Sequence, residues 1–169
     1  SLVKDTLCRF KLKQHRFLFG VGLLHAIALR DPECKESQKA FLSERLERLT
    51  SVFNYATLPF YWGRFEPQEG LPQTERLLAA ARYLTGKGIT LKGHPLCWHT
   101  VCAPWLLQYD NETILSKQLA RIRRETEAFK GLIDMWDVIN EVVIMPVFDR
   151  YDNAVTRLCR QLGQVELTG

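Results

Sequence analysis

Four short apolar runs alternate with four helical stripes along the 169 residues, and this alternation restricts the fold more than any other feature. The first run, Arg16-Phe-Leu-Phe-Gly-Val-Gly, reads as a strand ending in glycines. Tyr55-Ala-Thr-Leu-Pro-Phe-Tyr-Trp reads as a buried strand, Ile89-Thr-Leu-Lys-Gly-His as a third and Met135-Trp-Asp-Val-Ile-Asn-Glu as a fourth. Between them, Phe41, Leu42, Leu46, Leu49, Val52 and Phe53 recur at helical spacing among charges. Leu77, Leu78, Ala81 and Leu84 form a second stripe, stopped by Gly86-Lys-Gly. Asn111 is placed to cap a third helix through Ile114, Leu115, Leu119, Ile122 and Phe129, and Asn153 a last one with Val155, Leu158 and Leu162. Parallel strands need a crossover helix, so the pattern predicts βα units. A doubly wound open sheet and part of a closed barrel both fit. A complete eight-fold β/α barrel needs at least about 200 residues, more than this chain holds.

Composition excludes several classes. Hydrophobic residues are 46% and charged residues 25%, which is globular rather than disordered or low-complexity. No apolar run approaches the ~18 residues of a membrane span. No GxGxxG or GxxxxGK[ST] follows a strand, so no nucleotide cofactor is expected. The net charge is +4, with Lys4, Arg9, Lys11, Lys13 and Arg16 gathered at the start. Leu7, Phe10, Leu12 and Phe17 interleave with them, so a strand with a solvated basic face is favoured over a nucleic-acid arm. Five widely spaced cysteines (Cys8, Cys34, Cys97, Cys102 and Cys159) argue against a disulfide framework. No signal peptide is visible, but the chain opens on Ser1, which leaves export open.

Ligand sites of parallel β/α folds lie at the carboxyl ends of the strands. Polar and aromatic residues collect there: His25 after the first strand, Tyr61, Trp62 and Glu66 after the second, His94 to His99 after the third, Asn140-Glu141 after the fourth. A carboxylate at the tip of a buried strand is expected to be partly desolvated. That raises its pKa and suits a general acid. The plainer alternative is a solvated loop glutamate. His94 and His99 flank Trp98, which favours a site over two core histidines. Trp62, Trp98, Trp105 and Tyr61 are either core or stacking platforms for ring-shaped ligands. His94, Cys97, His99 and Cys102 could be read as metal ligands. Four ligands within nine residues, interrupted by Pro95 and Trp98, form a tetrahedron with difficulty, so no metal is assigned.

Taken together, these segments resemble glycoside hydrolase family 10, the retaining endo-β-1,4-xylanases. The likeness is carried by Gly93-His-Pro-Leu-Cys-Trp-His, Pro104-Trp105, Trp136-Asp-Val-Ile-Asn-Glu, and Trp62 followed by Glu66-Pro67 and Gly70. It runs from about Phe17 to the end of the chain. It implies an α/β fold of the (β/α)8 TIM-barrel type, with about four of eight βα units present: a strand or leader segment over 1–15 and the first half of a barrel over 16–169. It implies that Glu141 is the acid/base carboxylate and that Asn140 contacts the sugar 2-hydroxyl. His94 and Trp98 would line the same subsite, and His99 would hold the Asn-Glu pair. Tyr61, Trp62 and Trp105 would complete an aromatic rim. The implied substrate is β-1,4-linked xylan or a related plant polysaccharide, with no cofactor, nucleic acid or membrane as partner. Secretion or periplasmic export of the parent protein follows from the resemblance alone.

The departures point to a divergent branch. The family usually has Glu-Asn-x-x-Lys-Trp at the second strand, gripping the neighbouring sugar; here those positions are Thr57, Leu58 and Tyr61, before Trp62. A Gln common two positions after the second His is Val101. Sites deprived of such donors lose discrimination for hydroxyl-bearing ligands. The family's nucleophilic Glu sits on a seventh strand, and nothing after Glu141 resembles its setting; Glu166 follows a helix. The isolated chain is therefore expected to lack turnover. A non-catalytic carbohydrate-binding module is the alternative. Unpaired edges on the first and fourth strands lead us to expect self-association.

Overall fold

The computed structural model describes residues 17–29, 31 and 33–141. The segment 1–15, the helix expected from Asn153, Glu166, Cys8 and Cys159 lie outside the described residues. The elements run β1 (Gly20–Gly22), α1 (Leu24–Ala28), α2 (Glu36–Val52), β2 (Tyr55–Pro59), α3 (Trp62–Phe65), α4 (Thr74–Gly86), β3 (Thr90–His94), a 3₁₀ turn (Pro104–Gln108), α5 (Asn111–Ala128) and β4 (Met135–Trp136).

The sheet order is β1-β2-β3-β4, every neighbouring pair parallel. A doubly wound sheet reverses its strand order at a switch point; this one never does. Consecutive parallel neighbours with helical crossovers are the arrangement of a β/α barrel wall.

The two faces of the sheet differ. Ala56, Leu58 and Leu91 are buried and pack with Leu46 of α2, with Leu77, Ala81 and Leu84 of α4, and with Phe129 and Ile133 after α5. Thr57, Pro59, Lys92 and His94, alternating with them, are half-buried. A parallel sheet is normally apolar on both faces. Here the face away from the helices carries polar groups. Phe60, fully buried, lies edge-on to Phe129 (4.9 Å between ring centres) and Trp136 (4.8 Å). Each such pair adds about 0.5–1.5 kcal/mol beyond its area. The Trp136 ring fills the space a Cβ at Gly93 would need, which explains the glycine in that strand. Gly88 takes φ +77 just past α4, a backbone conformation that favours glycine.

Several elements differ from the sequence expectation. The second strand ends at Pro59, and Tyr61 and Trp62 lie at the start of a one-turn helix. The fourth strand is two residues long, continued by one isolated bridge between Cys97 and Ile139. Val138 and Ile139 are exposed, so this run is not the buried strand its apolar residues suggest. The third helix is capped by Asp110, whose Oδ1 accepts from the Thr113 N–H at 2.8 Å, and Asn111 is its first residue. A capping bond of this kind contributes about 1 kcal/mol.

That helix buries only part of its apolar stripe, Ile114 and the following Phe129. Leu115 and Leu119 are 59% and 45% exposed, while Arg121 and Glu125 are buried. The Arg121 guanidinium donates to the Phe60 and Leu96 carbonyls and lies 5.0 Å from the Trp62 ring centre. Arg124 pairs with Glu66 at 2.6 Å and Glu125 at 2.7 Å. Glu66 also accepts from Trp62 Nε1 at 3.0 Å and from the Gly70 N–H at 2.9 Å. Burial would raise the Glu66 carboxyl, but these donors outweigh it and hold it below the usual glutamate range. Among the described residues no helix is long and apolar enough to cross a membrane.

Candidate active site

The ends of β3 and β4 are stitched together by backbone bonds. Asp137 N–H donates to Gly93 O, Leu96 N–H to Asp137 O, Cys97 N–H to Val138 O and Asn140 N–H to Cys97 O, all between 2.8 and 3.0 Å. This zip sets the Asn140-Glu141 pair beside Trp98. The Trp98 indole N–H donates to Glu141 Oε2 at 2.9 Å. Glu141 itself has φ +54, uncommon for a residue with a Cβ. Such conformations cost of order 1–3 kcal/mol and cluster at functional sites.

The sequence pattern led us to expect a partly desolvated Glu141. The structure corrects this: the residue is exposed. The buried strand assumed to carry it stops at Trp136, so the carboxylate stands on an open loop.

A lysine, an aspartate and a histidine meet on the polar face of the sheet. Lys92 Nζ lies 2.6 Å from Asp137 Oδ2, and His94 Nδ1 lies 2.6 Å from the same oxygen. Partial burial would raise Asp137, but the hydrogen bonds from Lys92 and His94 outweigh it and keep the carboxyl below the usual aspartate range. Being ionised, Asp137 can only accept, so His94 Nδ1 donates and its orientation is held. Lys92, which donates to Asp137, is held above its usual value. Asp137 and Lys92 were not singled out from the sequence. The readable signal was their spacing: Lys92 and His94 stand two apart on one strand, hence on one face.

Because the folded Asp137 is depressed, its contribution is present above about pH 4 and is lost as pH falls through its folded value. Asp137→Asn is expected to lower the Tm at pH 7, with the gap to the parent chain closing below about pH 4. Melting curves between pH 3 and 7 check this; a gap independent of pH would remove the ion-pair account.

Tyr61 and Trp98 lie 5.4 Å apart, and Tyr61 meets the His94 ring edge-on at 5.6 Å. His99 is 8% exposed; burial pushes it below the usual histidine value, against the pull of the Glu141 carboxylate. The structure therefore brings Tyr61, His94, Trp98, His99, Asn140 and Glu141 to one end of the sheet. It takes Trp62 elsewhere, into a second core cluster with Ala103, Leu106 and Ile114. Trp105 packs edge-on against Trp62 at 5.5 Å and donates to the Glu66 carbonyl at 2.9 Å. Cys97 is half-buried, and burial pushes its thiol up. Among the described residues no group of three or more His, Cys, Asp or Glu side chains is placed to hold a metal ion.

A cleft of about 440 Å³ opens beside His94 and Trp98. It is lined mainly by apolar groups, with Thr57, Tyr61 and Val101 in its walls.

The family model described as Glycosyl hydrolase family 10 matches residues 28–159. The chain belongs to this family. It is 29% identical over 121 residues to endo-1,4-beta-xylanase A of Thermotoga maritima, covering 62% of this chain and 11% of that protein. Among solved structures it is similar to a GH10 endoxylanase retrieved from a sugarcane soil metagenome, with TM-score 0.59, 18% identity and coverage of 88% of this chain and 44% of that one. It is also similar to xylanase 10B of Thermotoga petrophila in complex with xylobiose, with TM-score 0.56, 18% identity and coverage of 75% and 42%. These likenesses establish the fold: the four parallel strands and the helices between them are part of a (β/α)8 TIM-barrel architecture. The chain spans less than half the length of these relatives.

Proposed function

We propose that this family 10 chain is part of a retaining glycoside hydrolase acting on β-1,4-linked xylan or a related plant polysaccharide, with Glu141 as its acid/base. The observation that carries the reading is the 2.9 Å bond from Trp98 Nε1 to Glu141 Oε2, which joins the third and fourth strand exits. One Glu141 oxygen is held by the indole, and the other stays available for proton transfer. In the first step Glu141 gives its proton to the glycosidic oxygen as the bond to the anomeric carbon breaks. A second carboxylate of the parent protein, ~5–5.5 Å away, attacks that carbon. Glu141, now ionised, takes a proton from the water that releases the sugar. His94, oriented by Asp137, would line the subsite of the cleaved sugar with Trp98. Asn140, whose backbone is fixed to Cys97, would reach the 2-hydroxyl, and His99 would buttress the pair. The names of the relatives support xylan as substrate. By itself this chain supplies the acid/base and would not turn over. The exposed Phe17, Leu18 and Phe19 beside the β1 edge support self-association of the isolated chain.

The full-length protein carrying this chain tests the proposal. With xylohexaose, proton NMR is expected to show the β-anomer of the shorter product first, decaying to the α/β mixture. Initial release of the α-anomer would overturn retention. Xylohexaose binding without any bond cleavage would favour a binding module.

A further inference from the structure

The departures of this chain from its family are not scattered. Three of the four positions that lack the usual hydrogen-bonding residues, Thr57, Tyr61 and Val101, share the wall of the cleft beside Trp98. The fourth, Leu58, is fully buried on the opposite face of β2 and is out of reach of any ligand. The cleft volume of about 440 Å³ lies in the range of small-molecule pockets. Leu24, 60% exposed, forms its outer lip, and Ile27 and Leu77 form its floor.

A bare sugar entering this space would bring hydroxyls that the apolar wall leaves unpaired, at a cost for each one desolvated. An aromatic ring has no such requirement, and Tyr61 offers it a ring to pack against. Arg64, its guanidinium 5.9 Å from the Tyr61 ring centre, and Gln73 join Thr57 and His94 as the polar side chains of a mainly apolar lining, and Arg64 and Gln73 can donate to an ester carbonyl.

Resting on the glycan reading above, we infer that this cleft takes an aromatic acyl group carried by the sugar next to the cleavage point, in place of an undecorated sugar. Specificity would then lie with glycans bearing aromatic esters. The pocket contributes binding and no chemistry.

Titration of the full chain by isothermal calorimetry tests this with three probes: methyl β-D-xyloside, xylobiose and methyl 4-O-benzoyl-β-D-xyloside. The benzoyl ester is expected to bind about 10- to 100-fold more tightly than methyl β-D-xyloside, given the apolar area of one ring. Xylobiose is expected to gain no more than about twofold. Leu24→Asn, at the exposed lip, should remove most of the benzoyl gain, and the double variant Thr57→Glu, Val101→Gln should reverse the order towards xylobiose. Xylobiose binding more tightly than the ester would overturn the inference while leaving the glycan reading intact. Absence of binding by all three probes would overturn both. A benzoyl gain untouched by either variant would place the ring outside the cleft and overturn the assignment.

Discussion

Replacing Glu141 by glutamine in the full-length protein is expected to slow xylan hydrolysis by about 10²- to 10⁴-fold, the usual contribution of a positioned general acid. The amide keeps the shape of the side chain, and its oxygen can still accept from Trp98 Nε1, as Glu141 does at 2.9 Å. What disappears is the proton for the leaving oxygen. The deficit should therefore depend on the leaving group. A xyloside with an acidic phenol needs little protonation, so its first step should be slowed far less than that of xylan. For such substrates the product-forming step becomes limiting, because the glutamine cannot take the proton from water. A loss of under about tenfold on xylan, or an equal slowing of the first step with both substrates, would remove Glu141 from the acid/base role.

Arg121→Met is expected to destabilise the chain by about 3 kcal/mol or more, because hydrogen bonds from a charged donor contribute about 1.5–3 kcal/mol each and a buried acceptor left without its donor costs about 1–3 kcal/mol. Arg121 is 2% exposed and donates to the Phe60 and Leu96 carbonyls. Those carbonyls lie just past β2 and β3, immediately before Tyr61 and Cys97-Trp98. Burial lowers the guanidinium to about 10, still protonated at neutral pH. Methionine fills most of the volume but leaves both carbonyls short of a donor, although Gln118 still reaches Leu96 O at 3.1 Å. It also removes one positive neighbour of Glu125, whose carboxyl burial already pushes up and whose Oε2 lacks a hydrogen-bond partner. Arg121→Met with Glu125→Leu should therefore cost less than Arg121→Met alone, because the buried carboxyl with its unpartnered oxygen is removed along with its positive neighbour, while Arg124 keeps Glu66 at 2.6 Å. Urea denaturation measures both. A loss below about 1 kcal/mol for the single variant would show that α5 does not hold the strand ends.

Glu66, Arg124 and Glu125 extend the same latch, and it connects to the site through Trp62. That ring packs against Arg121 on one side and against Trp105 on another. Tyr61, the residue immediately before it, is directed to the cleft with His94 and Trp98. Two adjacent aromatics thus divide between scaffold and site. The Phe60 N–H donating to His94 O at 2.6 Å and the Phe60 carbonyl on Arg121 fix the backbone where they separate.

Much of the fold was legible in the order of residues. Alternating apolar runs and helical stripes led to parallel βα units, since nothing else covers both faces of such strands. The motifs around His94, Trp98 and Asn140-Glu141 were readable because strand exits in this fold share one end of the sheet.

Other features were decided only in three dimensions. Periodicity tells which residues share a face, but not what that face will meet. Along α5 the expected apolar stripe is core at Ile114 and Phe129 but exposed at Leu115 and Leu119, while the charged row of Arg121 and Glu125 is buried. The carbonyls of two strand ends and the Glu66 carboxylate await it there, and a buried polar group needs a partner more than an exposed leucine needs cover. The Lys92–Asp137–His94 cluster joins residues more than forty positions apart, a distance no local pattern spans. Glu141 was legible as a candidate; its exposure and left-handed backbone were set by how soon β4 ends. The sequence by itself determined the four strands, the helices between them and the residues at the strand tips. Tertiary contact decided which of those tips form scaffold and which form the site, because contacts between distant segments, not spacing within one, choose the face that is buried.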